Sequence, residues 1–192
     1  SFNLHPSSLS LINPESLAVL ERLSGERIRH ELDLIFEEEN SVQMLTRISE
    51  LGIFDAFDPS LPKFNDQYAD LLNSEPPAEF DISVSRVMLG YLLWLMDSPL
   101  NVAAIIAKRF DFTSELRIAF LAAVQLKNDL PKLKDFKPSE WTSHLEKIPL
   151  IAVYVLWLVS SEPALKEFLV KWRHIKITIT GDDLKARGIP AS

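Results

Sequence analysis

The length, composition and charge of the chain are those of a soluble globular protein. Its 192 residues are 47% hydrophobic and 24% charged, which suffices for one sizeable core or two small ones and excludes a disordered tail. The absence of cysteine excludes disulfides and thiolate metal sites and predicts a cytoplasmic location. The net charge of -7 argues against indiscriminate nucleic-acid binding. The five glycines lack the spacing of a phosphate-binding loop. The apolar runs at 87–96 and 148–159 are too short for membrane spans.

The periodicity of the apolar residues predicts an all-α fold, a multi-helix array without a substantial sheet. Apolar residues recur every three or four positions, and strand-like alternation occurs only at 175–179. The predicted helices lie near 14–22, 24–37, 41–51, 64–73, 82–96, 99–109, 113–129, 138–146, 148–160, 162–173 and 180–187. Capping signals mark several of their ends, at Asn13-Pro14, Ser24, Asn40 with Gln43, Gly52 and Ser98-Pro99.

The charge is unevenly distributed along the chain. Residues 1–100 carry a net charge of -11, whereas residues 101–192 carry +4. From Lys166 to the end, six Lys and Arg residues face three Asp and Glu residues. A polyanion is therefore expected at the C-terminal end or at local basic clusters elsewhere.

Two stretches are predicted to connect larger units. Residues 63–81 contain Pro76-Pro77 and few large apolar groups in their second half, which is typical of a boundary. An acidic N-terminal unit is expected before this boundary and a more apolar helical unit after it. Residues 132–138 form a second connecting stretch.

The ionisable residues show no pattern for catalysis or for binding a metal. The four histidines are scattered without metal-ligand spacing. Three consecutive helical carboxylates at 37–39 point in different directions and cannot converge on one cation. The acidic pair Asp182-Asp183 follows Thr180-Gly181 and is expected in the first turn of a helix, where Thr180 caps and Asp183 completes the capping box.

An arginine-rich stretch at 22–31 has two interpretations. Arg27 and Glu31 are four residues apart, and Glu26 and Arg29 are three apart, which is the spacing of surface ion pairs on a helix. Alternatively Arg22, Arg27 and Arg29 hold a neighbouring helix or meet a polyanion, because the guanidinium fork suits carboxylate and phosphate.

The four tryptophans are expected to be structural more often than functional. Trp94 and Trp157 lie inside apolar runs and are predicted to be in the core. Trp172 lies between two basic residues, so a base-stacking role competes there with a half-buried position at a helix end.

Two anchors in the sequence resemble a known family. The segment 23–35, followed by 51–54 and Pro59, resembles the helical region after the catalytic head of bacterial tRNA nucleotidyltransferases and poly(A) polymerases, which are class II nucleotidyltransferases. The opening 2–17 is similar to the connection after that family's base-selecting motif. The end, 172–189, is similar to the passage from its body to its tail.

The resemblance implies a domain division and a fragment without catalysis. Residues 1–62 would be a neck-like region, 63–179 a helical body and 180–192 the start of a truncated tail. The family's phosphate loop and paired metal-binding aspartates are missing, and the chain starts at Ser1, so a fragment is expected. Mg²⁺ and ATP or CTP are implied only for the parent enzyme, whose choice among CCA, A-only and poly(A) addition stays open.

The resemblance also implies roles for particular residues. Glu26, Arg27 and Glu31 would brace the base-selecting helix of the absent N-terminal catalytic domain. The expected partner is the tRNA acceptor stem or another RNA 3′ end, not DNA or a membrane. Candidate RNA contacts are Arg22, Arg29, Lys171, Arg173, Lys176, Lys185 and Arg187. The alternative is an all-helical protein interaction or regulatory module with no RNA role.

Overall fold

A computed structural model of the protein describes residues 9–64 and 68–175. These ranges contain α-helices, short 3-10 turns and no β-strand, which confirms the predicted all-α class. The helices are α1 (Pro14–Leu17), α2 (Gly25–Glu37), α3 (Ser41–Glu50), α4 (Ile53–Phe57), α5 (Arg86–Leu95), α6 (Leu100–Arg109), α7 (Ser114–Leu133), α8 (Pro138–Leu145), α9 (Leu150–Ser160) and α10 (Pro163–Val170). The 3-10 turns are Leu20–Arg22, Asp70–Asn73, Ala78–Phe80 and Trp172–His174.

Most predicted capping signals act as expected. The side chain of Asn13 accepts a hydrogen bond from the Ser16 amide at 2.9 Å, and Ser24 accepts one from the Arg27 amide at 3.3 Å. Gly52 follows α3 with a φ of 70°, the left-handed conformation that glycine adopts without strain. The capping box predicted at Asn40 is wrong, because Asn40 precedes α3 but its side chain makes no capping hydrogen bond.

Two predicted helix starts lie elsewhere in the structure. The described part of the predicted 64–73 helix contains no α-helix; it contains the 3-10 turn Asp70–Asn73. The predicted 82–96 helix begins at Arg86, where Ser85 accepts a hydrogen bond from the Met88 amide at 3.4 Å. Ser85 caps this start, and residues 81–85 form an irregular connection between the turn Ala78–Phe80 and the helix.

Two predicted helix ends also differ. Helix α7 continues past the predicted end at 129 to Leu133, with Pro131 in its last turn. The side chain of Leu133 is buried, so its packing offsets the backbone hydrogen bond that proline cannot donate. The predicted 162–173 helix ends at Val170 and is followed by the turn Trp172–His174. The predicted 180–187 helix lies outside the described residues.

The buried apolar side chains form one cluster that includes residues on both sides of the predicted boundary at 62/63. The division into neck, body and tail is untested and stays a prediction. Ring contacts link the two sides: Phe36 of α2 meets Tyr91 of α5 at 4.8 Å between centroids, and Phe54 of α4 meets Trp94 of α5 at 4.6 Å. Helix α9 packs against α5, α7 and α10.

The tryptophans are structural where they were predicted to be. Trp94 is 1% exposed, and Trp157 is half-buried against the core with its ring edge-on to Phe80. Trp172 also packs on the core, which favours the helix-end role over base stacking.

None of the helices in the described ranges is both long enough and apolar enough to cross a membrane.

Candidate nucleic-acid interface

The arginine-rich stretch lies at the start of α2, but its ion pairs are not the predicted ones. Arg29 pairs with Asp33 at 3.5 Å, one turn further along the helix, and not with Glu26. Among the described residues, Arg27 and Glu31 form no ion pair. Both partners of the Arg29–Asp33 pair are largely shielded from solvent, so a phosphate approaching Arg29 would compete with the Asp33 carboxylate.

Arg29 also lies at the contact between α2 and α5. The hydroxyl of Tyr91 donates a hydrogen bond to the Arg29 carbonyl oxygen at 3.1 Å. Burial, with the nearby Asp33 carboxylate as a second cause, raises the pKa of Tyr91 far above its usual range. Tyr91 therefore stays a neutral donor at all physiological pH values. This part of the stretch serves the packing of α2.

Arg22 and Arg27 remain available at the surface. Arg22 ends the 3-10 turn before α2, and Arg27 lies in the first turn of α2; both are exposed and unpaired within the described part of the chain. Arg27 and Glu31 are the charged side chains that line a groove of about 190 Å³ between this turn, α2, α3 and α4. The remaining walls are apolar and include Leu20, Leu23, Ile28, Ile35, Ile48 and Phe54.

The predicted basic end is partly committed to internal contacts. Lys171 is exposed and carries no ion pair among the described residues. Arg173 instead donates from Nε to the Leu169 carbonyl at 2.8 Å and from Nη2 to the carbonyls of Phe80 and Asp81. The Asp81 contact measures 3.2 Å. Arg173 therefore holds the turn Ala78–Phe80 against the end of α10, because a guanidinium satisfies several carbonyls at once.

Lys166, counted among the basic residues of this end, pairs with Glu79 at 3.1 Å. Lys176, Lys185 and Arg187 lie outside the described residues, and their proposed RNA contacts stay predictions. Among the RNA contacts predicted at the C-terminal end, Lys171 is the one that is both described in the structure and without an internal partner.

Arg109, at the end of α6, was not singled out in the sequence, yet it joins the N-terminal helices to the rest of the molecule. Its guanidinium donates to the carbonyls of Leu23 and Glu21, each at 3.2 Å, and of Phe57 at 3.4 Å. Its Cζ also lies 3.8 Å from the centre of the Phe57 ring. A cation in the last turn of a helix is ordinarily explained by the helix dipole, so nothing in the sequence pointed to these distant partners.

The same junction contains a close backbone approach. A Cβ atom added to Gly25 would lie 1.9 Å from the carbonyl oxygen of Arg109 and 2.9 Å from the carbonyl carbon of Phe110. Only glycine allows the start of α2 to lie this close to the end of α6. At the C-terminal end of α2, Arg86 donates to the Glu38 carbonyl at 2.8 Å and to Ser41 Oγ at 3.3 Å. Both ends of α2 are therefore held by arginines of the later helices.

Exposed cations without partners are concentrated in the later half of the described ranges. Those before residue 100 are Arg22, Arg27 and Lys63; those after it are Lys108, Arg117, Lys134, Lys137, Lys147 and Lys171. Lys127 is excluded because it is paired with Asp97, and burial lowers its pKa. The free positive charge thus lies mainly on α6 to α10 and their connections.

The described residues include no group of three or more His, Asp or Glu side chains placed to hold a metal ion. The carboxylates at 37–39 are exposed. Asp182 and Asp183 lie outside the described residues.

Residues 1–64 match a family model described as the probable RNA- and SrmB-binding site of polymerase A. The match supports a poly(A) polymerase-type RNA-binding region here, with RNA as a partner. It covers a third of the chain and includes the arginine-rich stretch, the apolar groove and α1 to α4. No curated protein and no solved structure matched the chain.

The matched region is itself acidic. Residues 1–64 carry five Lys and Arg residues against eleven Asp and Glu residues. Its exposed cations without a partner are Arg22, Arg27 and Lys63, and the other free cations of the described ranges lie after residue 100.

Proposed function

We propose that the chain binds and positions RNA for an enzyme that adds nucleotides to RNA 3′ ends, with the tRNA acceptor stem as the favoured RNA. The match of residues 1–64 to the RNA-binding site of polymerase A is the observation that carries this proposal. The arginine contacts at the two ends of α2 support it, because they hold the matched region in a defined orientation on the later part of the chain.

Catalysis would come from residues other than these 192. In this proposal Mg²⁺ and ATP or CTP belong to the parent enzyme's catalytic domain. Glu26, Arg27 and Glu31 are proposed to face that domain, and the exposure of Arg27 and Glu31 on the groove is compatible with this role. Whether the parent adds CCA, A alone or a poly(A) tail stays open, and the cytoplasmic location stays a prediction.

The RNA contacts of the basic end are tested by removing the free lysines and leaving Arg173 intact. In Lys171→Ala/Lys176→Ala, tRNA affinity is expected to fall, and the slope of log affinity against log salt to become shallower by up to about 0.9 for each lost phosphate contact. The measurement is fluorescence anisotropy of labelled tRNA between about 50 and 200 mM salt. Arg173 is excluded because its carbonyl contacts would confound binding with stability.

The matched control is Lys108→Ala/Lys147→Ala, which removes the same charge from other exposed positions. Equal slopes for wild type and Lys171→Ala/Lys176→Ala would show that the basic end is a solvated surface. Absence of any tRNA binding by the wild-type chain would refute the proposal itself.

Protein binding is a second candidate function, and the groove beside α2 favours it. Its volume of about 190 Å³ suits one or two apolar side chains of a partner, not a metabolite, since small-molecule sites are usually larger than about 300 Å³. Arg27 and Glu31 at its rim could orient a charged partner helix. The family description itself names a protein, SrmB, beside RNA.

Reversing one charge at the rim tests this candidate without disturbing the core. Arg27→Glu is expected to weaken binding of purified SrmB about tenfold, because it places two acidic groups at the groove, while Arg117→Glu on α7 leaves it unchanged. The measurement is titration calorimetry. Equal effects of the two substitutions would remove the groove from the interface.

A further inference from the structure

The connection between α7 and α8 exposes an aromatic side chain among free lysines. Ten of the phenylalanines lie in the described ranges; nine are buried, at 8% exposure or less, and Phe136 is 39% exposed. Phe136 is not among the buried side chains of the core cluster. Every other phenylalanine in these ranges is used for packing, so Phe136 presents apolar surface that the fold of this chain does not use.

Phe136 has basic residues close to it on both sides in the sequence. Lys134 and Lys137 are exposed and unpaired within the described ranges, and Lys132 lies just before them with only a long contact of 3.6 Å to Asp129. Asp135 is the opposing acidic residue of the connection. The segment 132–137 therefore carries a positive balance in a chain whose overall charge is -7.

The connection is held in place at both ends. Leu133 and Trp141, on either side of it, are 3% and 2% exposed and anchor α7 and α8 in the core. The Phe136 amide donates to the Leu133 carbonyl at 3.0 Å, and the Lys137 amide donates to Glu140 Oε2 at 2.7 Å. Phe136 is thus presented by a backbone that is already fixed, which lowers the entropy lost when a partner binds it.

We infer that Phe136 stacks on an unpaired base of an RNA strand while Lys134 and Lys137 contact the phosphates on either side. This inference rests on the proposed RNA-binding function and adds a single-stranded contact outside the matched residues 1–64. An aromatic ring between free cations suits single-stranded nucleic acid, because every base has a face to stack on and every step along the strand carries a phosphate. A protein partner would not present a regular series of anions to the lysines, as the phosphates of an RNA strand do.

The test compares single-stranded and duplex RNA of equal length on the full chain. Phe136→Ala is expected to lower affinity for a labelled oligo(A) about fivefold or more and to leave duplex affinity unchanged. Phe136→Trp is expected to retain the affinity, since a larger ring still stacks. An oligo(A) carrying one 2-aminopurine reports stacking directly, because its fluorescence is expected to change when the wild type takes the base from its neighbours, and to change less on binding Phe136→Ala.

The charge contribution has its own readout. Lys134→Ala/Lys137→Ala is expected to make the salt dependence shallower by about 0.7 for each lost phosphate contact, the value for single strands. Asp135→Asn is expected to raise affinity. The matched controls are Ile105→Ala, which removes another exposed apolar side chain (60% exposed), and Lys108→Ala/Lys147→Ala, which removes the same charge elsewhere.

The outcomes separate the inference from the proposed function. If the wild type binds oligo(A) and Phe136→Ala binds it equally well with the same change in fluorescence, the stacking contact is wrong and RNA binding stands. Equal losses on single-stranded and duplex RNA would also overturn stacking. If the wild type binds neither RNA, both the inference and the proposed function fail.

Discussion

Replacing Gly25 by alanine is expected to lower the free energy of unfolding by about 2 kcal/mol or more. The new Cβ would lie 1.9 Å from the Arg109 carbonyl oxygen, and this atom belongs to the backbone of α6 and cannot rotate away. Helix α2 would have to separate from α6, which weakens the contacts that Arg109 makes with Glu21 and Leu23. The measurement is urea unfolding followed by circular dichroism.

Gly52→Ala is the comparison variant for this prediction. Gly52 has a φ of 70°, but a Cβ there meets no atom within 4 Å, so the substitution costs only the left-handed backbone strain of about 1 kcal/mol. If Gly25→Ala destabilises the protein no more than Gly52→Ala, the close approach of α2 and α6 is not tight in solution.

Replacing Arg109 by alanine is expected to cost about 3 kcal/mol of stability. Three carbonyl oxygens, of Glu21, Leu23 and Phe57, lose a charged donor, and hydrogen bonds to charged groups contribute about 1.5–3 kcal/mol each, less where water can replace the donor. Arg109→Lys is expected to recover only part of the loss, because an ammonium cannot reach all three oxygens and stack on the Phe57 ring.

Arg117→Ala is the matched control, since Arg117 is an exposed arginine on α7 with no partner in the described ranges. Its effect is expected to stay within about 0.5 kcal/mol. Similar melting curves for Arg109→Ala and Arg117→Ala would mean that the Arg109 guanidinium does not hold the N-terminal helices in place.

The sequence alone predicted the features that depend on interactions between residues close together in the chain. The helical class follows from apolar spacing, and the capping of Asn13 and Ser24 and the glycine at 52 follow from interactions within about one turn. The position of Trp94 in the core and of Trp157 against it follows from the apolar runs around them. The arginine-rich stretch was recognised as unusual from its residues, and the family model matches a region that contains it.

The sequence could not decide between alternative ion pairs where an arginine has more than one acidic residue within reach on the same helix. Arg29 has one acidic residue three positions before it, Glu26, and another four positions after it, Asp33. The structure pairs it with Asp33. Spacing alone cannot choose between such pairs, which differ by only a few tenths of a kcal/mol on an isolated helix. The packing of α2 on α5, with the Tyr91 hydroxyl on the Arg29 carbonyl, accompanies that choice.

The tertiary structure alone decided which cations are free. Arg109 and Arg173 contact carbonyls of residues 52 to 93 positions away in the chain, and no local pattern distinguishes them from surface arginines. Phe136 looked like one aromatic residue among many in the sequence, and only the burial of the other described phenylalanines identifies it as exposed. Burial and carbonyl contacts between distant segments arise when the helices pack together, and this packing separates the arginines that stabilise the fold from the lysines that remain exposed.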